Sequence, residues 1–64
     1  MKGYIHLLPI SKRWEVRYNS NKFTSTCIYV IDEQQLLIPD NYQVKEVDLE
    51  IVNVNGIDKA KILI

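Results

Sequence analysis

Rings and basic groups interleave in the first half of the chain, and proteins hold nucleotides and single strands with this combination: rings stack on bases, cations meet phosphates. Tyr4 and His6 stand two apart in an extended run, and Lys12, Arg13 and Arg17 follow. These five are the candidate ligand-binding residues. Trp14, Tyr18, Phe23 and Tyr29 lie among them beside Lys22. A chain of 64 residues, however, needs Trp14 and at least two other rings for its core. The Arg/Lys-Gly-Phe/Tyr motif of RNA-recognition domains is missing, and a chain of zero net charge gains little from counterion release.

Other chemistries find less support. Gly3 and Gly56 are the only glycines, so the sequence holds neither a phosphate-cradling glycine loop nor a Gly-x-Ser-x-Gly elbow. A Cys27/His6 pair would be the means of activating a thiolate. Cys27 reads instead as a small buried hydrophobe beside Trp14, and His6, between Ile5 and Leu7, as a partly buried structural residue. Glu46, Asp48 and Glu50 alternate along a strand and set three carboxylates on one face, the ligand type of hard cations. Lys59 and Lys61 share that face and neutralise it, and a straight strand does not wrap an ion. The expectation is no enzyme, no cofactor and no metal.

The elements that must position these residues are strands. Asn55-Gly56 is a two-residue hairpin loop of the type I′ kind, in which both central residues take positive φ. Counting outward pairs Val54 with Ile57, Glu50 with Lys61, Leu49 with Ile62 and Val47 with Ile64. Val47, Leu49, Ile51, Ala60, Ile62 and Ile64 then form a core wall. Three earlier runs, Gly3–Leu8, Arg13–Tyr18 and Phe23–Ile31, are extended, with Pro9 marking an edge position or a strand end. Closing the second hairpin over Ser20-Asn21 sets Tyr18 opposite Phe23 and Trp14 opposite Cys27. Asp32-Glu33-Gln34-Gln35 has the form of a capping box, followed by an exposed bend at Pro39-Asp40-Asn41.

Residues 1–64 thus read as a single small β-barrel domain: all-β, five-stranded, OB-like or SH3-like, with at most one helical turn near residues 33–37. One cysteine allows no internal disulfide, and the sequence shows no apolar membrane span and no signal peptide. A cytoplasmic, reducing compartment is expected. Residues 1–30 hold five basic groups against one acidic, the remainder three against seven, giving halves of +4 and −4. Such halves serve either an anion-binding surface or self-association, unless strands from the two halves lie side by side and their charges mingle.

Trp14-Glu15-Val16-Arg17-Tyr18, Val47-Asp48-Leu49-Glu50-Ile51-Val52 and Ala60-Lys61-Ile62-Leu63-Ile64 together resemble a group of small uncharacterised single-domain β proteins of bacteriophages and Bacteroidetes-type bacteria. Those chains share a Trp-x-Val-x-Tyr strand, a Val-x-Phe/Leu-Glu-Ile-Val strand and an Ala-Lys-Leu-Ile-like end. The resemblance implies a viral or mobile-element origin, hence the host cytoplasm, and no assigned activity. The leading expectation is a non-catalytic binding protein that occludes a host protein or sequesters a small anionic ligand such as a signalling nucleotide. The alternative is a single-stranded nucleic-acid-binding module. Val52, Val54, Ile57 and Leu63 on the second face of the last hairpin are the expected interface of a homo-oligomer.

Overall fold

The computed structural model describes residues 1–63, which form five strands: β1 (Lys2–Leu7), β2 (Trp14–Asn19), β3 (Ser25–Tyr29), β4 (Lys45–Val54) and β5 (Ile57–Ile62). A 3-10 turn at Asp32–Gln34 supplies the expected helical turn, and the bend expected after Pro39 is a second one, Asp40–Tyr42. The ladders are antiparallel in the order β3-β2-β1-β4-β5. An isolated parallel bridge joins Val30, the residue just after β3, to Ala60 of β5. The sheet is therefore a curled half-barrel sealed at one point. With β1 between β2 and β4, and β3 meeting β5 in parallel, its circular order is OB-like rather than SH3-like. Pro9 follows the end of β1, which is an interior strand.

Period-two alternation sorts the faces. Ile5 of β1, Trp14, Val16 and Tyr18 of β2, Val47 and Leu49 of β4, and Ala60 and Ile62 of β5 point inward and are buried. Val30, Ile31 and Ile38 complete the core. Gly3 also points inward, and here the absence of a side chain matters: a Cβ would lie 2.7 Å from Val16 Cγ1 and 2.8 Å from the Arg17 carbonyl oxygen. The Asn55-Gly56 turn takes the required positive φ at both residues, 54° and 84°, and every described pair from Val54–Ile57 to Leu49–Ile62 falls in the expected register. The Val47/Ile64 pair lies outside the described residues. One face assignment changes along this hairpin. Ile51, expected in the core wall, is 36% exposed, while Val52 is half-buried against the core. β4 pairs with β1 through Lys45–Asp48 and with β5 from Leu49 onward, and strand coiling across that change of partner turns its outer half.

The second hairpin departs further from expectation. Tyr18 faces Thr26, not Phe23, and Cys27 faces Arg17, not Trp14. The cause is the loop: Asn21 Oδ1 accepts the Phe23 N–H at 2.8 Å, an Asx turn that lengthens it, and the Ser20 N–H closes it on the Thr24 carbonyl at 3.0 Å. The shift is three residues, an odd number, so β3 turns its faces over. Cys27 is exposed, and Phe23 projects from the loop at 95% exposure. Trp14 and Tyr18 are the buried rings, with Tyr42 packed partly against the core.

The Asp32–Gln35 segment is no capping box, since the 3-10 turn has no side-chain cap. Both glutamines are used elsewhere. Gln35 Oε1 accepts the Trp14 N–H at 2.7 Å, and its Nε2 donates to the carbonyls of Trp14 and Val30 at 3.1 and 2.9 Å. Gln34 does the same for Ile62, accepting its N–H at 2.8 Å and donating to its carbonyl at 2.9 Å. Beyond the Val30–Ala60 bridge, with its backbone bond from Ile31 N–H to the Ala60 carbonyl, two side-chain amides continue the ladders where the chain has turned away. Unpaired strand groups there would otherwise be left without partners.

Candidate ligand-binding face

Pairing across β1, β2 and β3 decides which side chains share the outer face. Tyr4 stands opposite Arg17, and Arg17 opposite Cys27; one row along, His6 faces Glu15, and Glu15 faces Tyr29. On the other flank β4 sets Glu46 beside Tyr4 and Asp48 beside Lys2. Three of the five sequence candidates, Tyr4, His6 and Arg17, are thus brought together.

Tyr4 is 53% exposed and stands between two shallow grooves. The larger, about 460 Å³, is lined by Lys2, Gly3, Tyr4, Arg17, Tyr18, Asn19 and Glu46. The second, about 410 Å³, is lined by Tyr4, His6, Arg17 and Val44. Tyr4 and Arg17 belong to both. Arg17 forms no ion pair among the described residues, whereas Lys2 is held by Asp48 at 3.1 Å. Proximity to Cys27, by hydrogen bonding first and by charge second, raises the Arg17 guanidinium above its ordinary value, and Asp48 does the same for the Lys2 ammonium. Arg17 is a permanent cation available to a ligand. His6 is half-buried with its Nε2 2.8 Å from Glu15 Oε1, so its orientation is fixed by the neighbouring strand.

Lys12 and Arg13 line neither groove. Lys12 sits in the β1–β2 loop with φ 60°. Arg13 lies over the Tyr29 ring, 5.4 Å from its centroid, and reaches Asp32 at 3.2 Å. That ring and Leu8, Pro9, Ile10 and Ser11 line a third depression of about 300 Å³. Tyr29 therefore belongs to the face although sequence reasoning placed it only among the general aromatics; the register shift of β3 brings it outward. Val44 has φ 62°, and it had no signal at all, because nothing in Gln43-Val44-Lys45 marks a left-handed backbone position.

The remaining candidates separate. Glu46, Asp48 and Glu50 do line up outward, but Lys2 and Lys61 pair with Asp48 and Glu50. No group of three or more His, Cys, Asp or Glu side chains able to hold a metal occurs among the described residues. The charges of the two halves mingle: Lys2 meets Asp48 and Arg13 meets Asp32, which also receives Lys59 at 3.4 Å. Of the hairpin residues expected at an oligomer interface, Val54, Ile57 and Leu63 are exposed, while Val52 packs on its own core. No described helix is long and apolar enough to cross a membrane. No family model, curated protein or solved structure matches the chain.

Proposed function

We propose that this chain is a non-catalytic binding module that takes nucleotide units, free or within a single strand, on the outer face of β1, β2 and β3. The observation that carries the reading is the exposed Tyr4 ring between two grooves with the Arg17 guanidinium, which forms no ion pair among the described residues, directly across the ladder. A base stacks on Tyr4 and its phosphate meets Arg17. Tyr29, under Arg13, offers a second ring about 12 Å away across two strands and two residues. The small-anion and single-strand expectations share this one site chemistry. Glu15 and Glu46 on the same face keep the electrostatic share low, so stacking, worth about 1–3 kcal/mol per base, carries most of the affinity.

The test is fluorescence anisotropy with labelled oligothymidylate, competed with a mononucleotide. Tyr4→Ala weakens binding about tenfold, the equivalent of one lost stack. Arg17→Ala lowers the slope of log affinity against log salt by about 0.7, one phosphate contact on a single strand. Competition by the mononucleotide at matching concentration assigns the site to free nucleotides; failure of that competition assigns it to a strand. No binding of either probe, or full binding by Tyr4→Ala, overturns the proposal.

A further inference from the structure

Among the described residues, three other than glycine have φ in the left-handed region: Lys12 at 60°, Val44 at 62° and Asn55 at 54°. Asn55 is where a type I′ turn puts such a residue, and Lys12 has an unbranched β-carbon. Val44 is the outlier, because a branched β-carbon crowds its own backbone in that region. The neighbouring hydrogen bonds impose it. The Val44 N–H donates to the Ile5 carbonyl at 2.7 Å while Lys45 is the ladder partner of Ile5, so Val44, the residue just before β4, and Lys45 together face one residue of β1. That is a bulge, and in the left-handed kind glycine is the usual first residue. Gln43 Oε1 accepts the Leu7 N–H and fixes the approach from the other side.

Core packing does not explain the valine, which is 67% exposed. It does line the groove with Tyr4, His6 and Arg17. Strained residues held by over-determined surroundings gather at ligand sites, and bulges there re-aim a side chain. We propose that Val44 is a specificity-determining residue of this face: the bulge holds it as an apolar wall that seats a nucleobase against Tyr4. This rests on the nucleotide reading above. The wall offers nothing to a phosphate, so it orients the nucleotide with its base towards Val44 and its phosphate towards Arg17.

The experiment compares Val44→Asn, Val44→Gly and Val44→Ile with wild type in urea unfolding and in oligothymidylate anisotropy. Asparagine tolerates left-handed backbone, so Val44→Asn unfolds at higher urea; Val44→Gly unfolds no earlier than wild type, because relief of strain is offset by glycine's freedom in the unfolded chain. Both bind about fivefold more weakly, the loss of a partly buried apolar contact. Val44→Ile keeps the wall and binds as wild type. Stability and binding thus move in opposite directions, which a purely structural role does not produce. Wild-type affinity in Val44→Asn and Val44→Gly, with Tyr4→Ala still defective, overturns the inference and leaves the nucleotide reading standing. An earlier unfolding midpoint in Val44→Asn also overturns it, since the valine then serves stability. Failure of the wild-type protein to bind removes both.

Discussion

Gln35 grips Trp14 by the main chain, accepting its N–H at 2.7 Å and donating to its C=O at 3.1 Å, so that one side chain stands in for a neighbouring strand. Gln35→Ala leaves the Trp14 N–H without its partner at the edge of the core. The expected loss is about 1–3 kcal/mol of unfolding free energy, read by urea denaturation. Gln35→Glu keeps the acceptor but not the donor and is expected to be destabilised as well. Stability unchanged in both variants would show that the seam does not depend on this amide.

Gly3→Ala tests the closeness of β1 to its neighbours. The added methyl meets Val16 Cγ1 and, less forgivingly, the Arg17 carbonyl oxygen. Overpacking of this kind costs about 1–3 kcal/mol, and the variant is expected to unfold at correspondingly lower urea. Because Gly3 lines the larger groove, anisotropy on the folded variant also reports whether a displaced β1 moves Tyr4.

Cys27 lies on the outer face across from Arg17. A thiol reagent is expected to label it in the native state at a rate close to that in denaturant, and Cys27→Ser is expected to change stability by less than about 0.5 kcal/mol. Protection of the native thiol would mean that β3 is registered as a two-residue loop over Ser20-Asn21 would set it.

Much of the fold could be read because local chemistry and hydrophobic pattern agree there. Asn55-Gly56 admits one turn type, and Leu49, Ala60 and Ile62 fall inward on both counts. The alternation of Trp14, Val16 and Tyr18 was equally unambiguous. β3 was not legible because Ser25, Thr26, Cys27, Ile28 and Tyr29 suit either face of a sheet, so the register passed to the loop, where one Asx hydrogen bond decided it. Asp32 and Gln35 have the spacing of a capping box, and the real partners of Gln34 and Gln35, Ile62 and Trp14, are 28 and 21 positions away, out of reach of any local pattern. Alternation puts Tyr4 and His6 on one face of their strand, but the register that sets Arg17 beside Tyr4 does not follow from it, and Val44 depends on a backbone angle that no residue type announces.

β1 precedes both of its ladder neighbours in the chain and must wait for each of them. Its neighbour β2 follows after a short loop, but its other neighbour, Lys45–Asp48 of β4, lies some forty positions downstream. Until that segment arrives, Lys2–Ile5 expose a row of unpaired amides and carbonyls beside Ile5 and Val16, and the meander of three strands has two bare edges instead of one closed seam. Pairings so far apart in sequence form slowly, and bare edges recruit other chains. A ribosome-bound or truncated chain ending before residue 45 is therefore the aggregation-prone form of this protein, and its solubility is decided by how soon β4 docks.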